Sequence, residues 1–135
     1  MNQDHCLIFT YARCSTCRKA TAFLKTHGIA FEERPIRETP PAPDQLRRMV
    51  AAHDGQWRKI CNSSSADYRN LRLGQCIDDL GEDEIIHLLQ ANGNLVKRPF
   101  VLGRHTPPDG QPRDLHLVGF KEDRWRQAFG LAADN

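Results

Sequence analysis

Residues 6–20 have the sequence CLIFTYARCSTCRKA, in which a short apolar run leads into two cysteines and then into a helical pattern. The β-branched and aromatic residues at its start are typical of a buried strand. Ser15 or Thr16 is expected to cap the helix that follows. The core-facing side of that helix is predicted to be formed by Cys17, Ala20, Phe23 and Leu24.

The rest of the chain extends this strand and helix into an α/β pattern. Residues 29–36 resemble a second strand parallel to the first, which gives a right-handed βαβ unit. Helices are expected over residues 44–55 and 81–90, with short helices and turns over residues 57–73 between them. Residues 100–103 and 115–118 predict a hairpin, and a final helix begins near Lys121. The order is βαβ, helical insertion and ββα, which predicts a thioredoxin-like fold with a central mixed sheet, as one domain over residues 1–135.

Composition narrows the class of protein. Apolar residues make up 39% and charged residues 27%, which is typical of a soluble globular chain, and no apolar run is long enough to span a bilayer. A net charge of +2 gives no reason to expect direct nucleic-acid binding. The first residues lack the order of a signal peptide, so we expect a cytoplasmic protein that does not act at a membrane. In a reducing compartment its five cysteines are available as thiols.

The C-x-x-C pair between strand and helix indicates thiol chemistry. Cys14 would lie at the helix N-terminus, where free N–H groups and the helix dipole favour an anion, so we expect it to be the nucleophile. Cys17, one turn into the helix, would be the buried resolving thiol. The environment expected to favour the thiolate includes Arg13, Ser15, Thr16 and Arg18.

Other interpretations of these motifs remain open. A C-x-x-C pair is also half of a zinc site, but Cys61 and Cys76 lie far apart and provide no second close pair. We favour packing roles for Cys6, Cys61 and Cys76. Arg98 and Pro99 form either a surface charge before a strand or an anion-binding arginine beside the thiolate, with a proline suited to a cis peptide.

Four ordered motifs resemble the arsenate reductase ArsC / Spx / MgsR family. They have the sequences YARCSTCRKA (residues 11–20), CNSSSADYRNL (61–71), LVKRPF (95–100) and VGFKEDRW (118–125). The segment GIAFEER (28–34) is similar as well. The resemblance implies a thioredoxin-like fold with a helical insertion, and it places Arg98 and Pro99 beside the cysteine loop.

The resemblance also implies two kinds of activity. Glutaredoxin-linked arsenate reductases carry a nucleophilic cysteine, matched by Cys14, and three arginines around the oxyanion. Arg98 matches one arginine, whereas the other two fall on Asn62 and Gly119, which removes charge that would stabilise arsenate. Spx regulators bind RNA polymerase and sense oxidation through a C-x-x-C disulfide. Gly55 falls where that branch has an interface glycine, although we favour an ordinary helix stop at this position.

Taken together, the motifs predict a thiol–disulfide reductase that uses Cys14, Cys17 and Arg98. Glutathione, glutaredoxin or thioredoxin would supply electrons, and no tightly bound cofactor or metal is expected. The alternatives are an Spx-type regulator that binds RNA polymerase and an arsenate reductase with an altered oxyanion site.

Overall fold

A four-stranded mixed sheet organises the fold in the computed structural model, which describes residues 3–132. The strands are β1 (His5–Thr10), β2 (Glu32–Pro35), β3 (Phe100–His105) and β4 (Arg113–Val118), in the spatial order β2-β1-β3-β4. β1 pairs parallel with β2 and antiparallel with β3, which in turn pairs antiparallel with β4. The predicted parallel βαβ unit, the late hairpin and the mixed sheet are confirmed.

Six α-helices complete the described chain, in the order that the sequence predicts. They are α1 (Ser15–Thr26), α2 (Pro43–Ala52), α3 (Ala66–Asn70), α4 (Leu73–Cys76), α5 (Glu82–Ala91) and α6 (Glu122–Ala128). Short 3₁₀ turns lie at Trp57–Ile60, Ile77–Asp79 and Gly93–Leu95. Within residues 3–132, no helix combines the length and the apolar character needed to cross a bilayer.

The sheet separates two hydrophobic clusters, because successive side chains of β1 point to opposite faces. Ile8 packs with the buried side of α1 and with Trp125 and Phe129 near the C-terminus. Phe9 packs on the other face, against the helices of the insertion. The predicted α1 stripe is buried along its whole length, and Cys6 and Cys61 lie in the two cores, with Cys76 half-buried at the edge of the second.

Two sequence expectations differ in detail from the structure. The second strand is shorter than residues 29–36, because Ile29 and Phe31 pack on the α1 cluster and the ladder with β1 runs over Glu32–Pro35. Leu88, expected in the core of α5, is half-buried, whereas Ile85, Ile86 and Leu89 are buried. The four residues of β2 are all exposed, so pairing with β1 rather than burial defines this edge strand.

Gly93 marks a close approach of two backbones, and its substitution is our first prediction. A Cβ at position 93 would overlap the backbone carbonyl of Ile36. We therefore expect Gly93→Ala to lower the free energy of unfolding by about 2 kcal/mol, measured by chemical denaturation. Gly74→Ala is the matched control, because its Cβ would meet the Tyr68 ring at an ordinary 3.5 Å and a helical alanine is favourable. Equal stability of the two variants would contradict the close approach.

Candidate active site

Cys14 lies between β1 and α1, directly before the first residue of α1, and its side chain caps α1. Its backbone N–H donates to the Tyr11 carbonyl at 2.9 Å, which closes the turn after the strand. Its Sγ accepts a hydrogen bond from the Cys17 N–H at 3.3 Å. The expectation that Ser15 or Thr16 caps this helix is wrong, because both lie after the N-cap position, which the thiol occupies. The sulfur is thus held against the free N–H groups of the first turn.

The two thiols of the pair differ sharply in their electrostatics. Burial raises the pKa of Cys14, but the hydrogen bonds with Cys17 and the charge of Arg98 outweigh it, so the net pKa is below the ordinary value. Burial, followed by the interaction with Cys14, raises the pKa of Cys17 to about 12. Cys14 is half-buried, whereas Cys17 is 2% exposed. Cys14, the accessible thiol, therefore ionises more readily than Cys17 behind it.

Arg98 supplies the positive charge that acts on Cys14. It precedes Pro99 through a cis peptide bond, just before β3 begins. Its guanidinium lies over the Tyr11 ring, with 4.8 Å from Cζ to the ring centroid. Its Nη1 is buried and has no hydrogen-bond partner among the described residues. Arg98 therefore lies in the same cleft as Cys14 and acts on its pKa.

A cleft of about 730 Å³ opens beside Cys14 and is strongly cationic. Its basic side chains are Lys59, Lys97, Arg98, Lys121 and Arg124, and no carboxylate is among its described lining residues. Lys59 is paired with Asp54 at 3.5 Å, while the other four have no ion pair within residues 3–132. This surface, called here the Cys14 cleft, is suited to ligands that carry negative charge.

The remaining predicted site residues divide into two groups. Thr16 and Asn62 line the Cys14 cleft. Arg13, Ser15 and Arg18 are exposed and do not line it, and the Arg18 guanidinium instead donates to the Ala12 carbonyl at 3.1 Å. Arg98, unlike Arg13 and Arg18, lowers the pKa of Cys14.

Several cationic residues of the cleft were missed by sequence reasoning. Lys97 is next to the predicted Arg98, and its Cε lies 3.2 Å from the position that a Cβ on Gly119 would take. Lys97 thus occupies space beside the position where the family resemblance places an arginine. Lys121 and Arg124 lie three residues apart at the start of α6, a spacing that puts both on one side of the helix.

Comparison with known proteins agrees with this architecture. Residues 9–128 match the sequence profile described as the ArsC family. The chain belongs to the ArsC family. Among relatives, it is 34% identical to the uncharacterized protein YusI of Bacillus subtilis (strain 168) over 119 residues, which cover 88% of the chain and 93% of YusI.

Regulators and reductase-like structures both occur among the similar proteins. The ArsC-family chain is 27% identical to the global transcriptional regulator Spx of Streptococcus mutans, covering 88% of the chain and 79% of Spx. A crystal structure of a possible arsenate reductase from Streptococcus mutans UA159 superposes with a TM-score of 0.73 at 28% identity, covering 88% and 93% of the two chains. The predicted family and the thioredoxin-like α/β fold are therefore confirmed.

Potential metal ligands are dispersed in the part of the chain that the structure describes. No group of three or more His, Cys, Asp or Glu side chains there is arranged to hold a metal ion. All five cysteines are present as free thiols.

Proposed function

We propose that this ArsC-family protein is a thiol–disulfide oxidoreductase, with Cys14 as the nucleophile and Cys17 as the resolving thiol. The observation that carries the proposal is the asymmetry of the pair. Cys14 faces the cleft with a lowered pKa, while Cys17 lies buried behind it with a raised pKa. Two-step disulfide exchange requires an accessible thiolate for the first attack and a second, shielded thiol nearby for the second attack.

The reaction follows from these positions. The Cys14 thiolate attacks one sulfur of a substrate disulfide, forms a mixed disulfide, and expels the other sulfur as a thiolate that takes up a proton. Cys17 then loses its proton and attacks the Cys14 sulfur, which releases the second substrate thiol and leaves a Cys14–Cys17 disulfide. The substrate gains two electrons and the protein loses them. Two molecules of glutathione, or a glutaredoxin or thioredoxin dithiol, restore the reduced protein and become oxidised.

The charge of the Cys14 cleft supports glutathione as the small thiol. Glutathione carries two carboxylates, and the cleft presents Lys97, Arg98, Lys121 and Arg124 without a carboxylate among its described lining residues. Arg98 would stabilise the Cys14 thiolate before the attack, and again during regeneration, when the second glutathione attacks the glutathione sulfur of a Cys14 mixed disulfide and displaces Cys14. No tightly bound cofactor enters this reaction.

A redox titration with mass-spectrometric counting of thiols tests the proposal, together with turnover of a glutathionylated peptide. We expect two thiols, Cys14 and Cys17, to disappear and return together, and we expect turnover coupled to glutathione reductase and NADPH. A protein in which these two cysteines do not form a reversible disulfide would rule the mechanism out. Arsenate in place of the peptide is a second arm, in which we expect no turnover, because Asn62 and Gly119 stand where two arginines would donate paired N–H groups to the oxyanion, and a lysine supplies only a point charge.

The similarity to Spx favours a second candidate, a redox-switched regulator that uses the same pair of cysteines. In that case the disulfide would alter affinity for RNA polymerase rather than complete a catalytic cycle. Gly55, with φ +72 and its N–H bonded to the Val50 carbonyl at 2.8 Å, has the geometry of a helix stop after α2. Retention of purified RNA polymerase by the oxidised or reduced protein, without peptide turnover, would favour the regulator.

A further inference from the structure

Two guanidinium groups lie over the ring of Tyr11. The Arg98 Cζ is 4.8 Å from the ring centroid and the Arg37 Cζ is 5.0 Å from it. Both distances are within the range in which the negative face of an aromatic ring attracts a cation. Arg37 also donates from Nη1 to the Tyr11 hydroxyl at 3.0 Å. Tyr11 therefore joins an arginine of the active site to a second arginine outside the cleft.

The backbone fixes where Tyr11 and Arg37 meet. Tyr11 follows the last residue of β1, and its carbonyl accepts from the Cys14 N–H. The Thr10 carbonyl accepts from the Ile36 N–H at 2.8 Å, which brings Arg37 to the same edge of the sheet. Since β1 and β2 are parallel, the residues that follow their carboxyl ends lie side by side.

The charge of Arg37 also acts on Asp67, a half-buried carboxyl group. Hydrogen bonds from the side-chain amides of Asn92 and Asn94, at 2.8 and 3.0 Å, and then the charge of Arg37, lower the pKa of Asp67. Asp67 is therefore a carboxylate at neutral pH, and it attracts the Arg37 guanidinium. Arg37 thus donates to the Tyr11 hydroxyl, while the charge of the Asp67 carboxylate attracts its guanidinium.

We propose that Tyr11 and Arg37 are positioning residues that hold the Arg98 guanidinium against Cys14 without neutralising its charge. The inference deepens the proposed function and rests on it. Among the described residues Arg98 has no ion pair and its Nη1 has no hydrogen-bond partner, whereas its guanidinium rests on the Tyr11 ring and acts on the Cys14 sulfur. A carboxylate would hold Arg98 equally well but would cancel the charge that acts on the sulfur, whereas an aromatic face attracts a cation and leaves its net charge intact.

The roles of the two residues differ. The Tyr11 ring provides the surface on which Arg98 rests, and the hydrogen bond from Arg37 to its hydroxyl keeps the ring in that orientation. Loss of the ring should therefore matter more than loss of the hydroxyl, and loss of Arg37 should matter about as much as loss of the hydroxyl.

The pH profile of Cys14 alkylation by iodoacetamide, followed on the Cys14 peptide by mass spectrometry, tests the proposal. Removing an opposite charge beside a thiolate raises its apparent pKa by about 1 or more, so we expect this rise in Arg98→Met. We expect Tyr11→Leu to approach the same value, and Tyr11→Phe and Arg37→Met to give smaller rises. Arg37→Lys, which keeps a charged donor, should restore most of the original value. Arg34→Met is the matched control, because Arg34 pairs with Glu32 on the exposed face of β2 and its loss should leave the profile unchanged.

The decisive measurement is Tyr11→Leu in the Arg98→Met background. If Tyr11 acts through Arg98, the double variant has the same apparent pKa as Arg98→Met alone. The inference is overturned if Tyr11→Leu raises the apparent pKa of Cys14 equally in the original protein and in the Arg98→Met background. It is also overturned if Tyr11→Leu alone gives no rise. Thermal melting of each variant identifies any that fail to fold, and Tyr11→Phe retains the packing of the ring. The alkylation profile does not depend on turnover, so a protein that shows this coupling but no disulfide turnover would refute the proposed function and leave the positioning role intact.

Discussion

Cys14→Ser is expected to abolish reduction of a glutathionylated peptide, with a loss of about 10³-fold or more in kcat/KM. Serine keeps the size of the side chain and can still accept from the Cys17 N–H at the N-cap, so the helix should remain capped. Its hydroxyl is not ionised at neutral pH and forms no disulfide, so the first step has no nucleophile. Steady-state turnover coupled to NADPH oxidation measures the loss.

Cys17→Ser is expected to stop the reaction one step later. Without glutathione in the assay, Cys14 still attacks, but the buried group that should release the substrate is a hydroxyl, so a mixed disulfide on Cys14 accumulates and intact-mass spectrometry detects it. Cys76→Ala is the matched control, because this half-buried thiol lies outside the Cys14 cleft. Turnover that survives in Cys14→Ser, or a substrate adduct that forms on Cys17, would reverse the assigned roles.

The sequence predicts the elements of this fold well where local periodicity and burial agree. The α1 stripe that begins at Cys17 is buried as its helical spacing indicates, and the hairpin of β3 and β4 follows from two apolar runs around a Pro-Pro-Asp-Gly turn. The boundaries of β2 differ from the predicted ones because apolar residues indicate which positions pack in the core, whereas a strand is defined by backbone pairing. Ile29 and Phe31 signal contact with the α1 cluster, and the exposed residues Glu32–Pro35 form the ladder.

The candidate site is predicted in part, and the residues that were missed share a physical reason. Cys14 and Arg98 belong to motifs, so their types and positions in the chain identify them. The contact between Tyr11 and Arg37 depends instead on the register of two strands, because their separation in sequence contains no sign of contact. Local charge favoured Arg13 and Arg18 as the cations beside Cys14, but both are exposed and neither lines the cleft.

Trp125→Ala is expected to lower the free energy of unfolding by about 3–5 kcal/mol, which is a large share of the stability of a domain of this size. Trp125 is 1% exposed and its ring packs edge-on against Phe23 and Phe120, at centroid distances of 5.7 and 5.0 Å. Alanine would leave a cavity between α1 and α6 that these rings cannot fill. Chemical denaturation followed by circular dichroism measures the change.

The Trp125 side chain also connects the core to the Cys14 cleft. Its substitution should therefore affect substrate binding as well as stability, unlike that of an ordinary core residue. Its Nε1 donates to the Gly119 carbonyl at 3.0 Å, and Gly119 lies against Lys97 in the cleft. Trp125→Phe keeps most of the packing and removes the donor. We therefore expect a smaller loss of stability, about 1–2 kcal/mol, together with a higher KM for the glutathionylated peptide.

Phe129→Leu is the control, because this buried ring contacts the same aromatic cluster but does not line the cleft. Phe129→Leu should lower the stability of the protein and leave the KM for the glutathionylated peptide unchanged. If Trp125→Phe also left KM unchanged, the link between the aromatic core and the cationic cleft would be refuted, and Trp125 would contribute to the fold through packing alone.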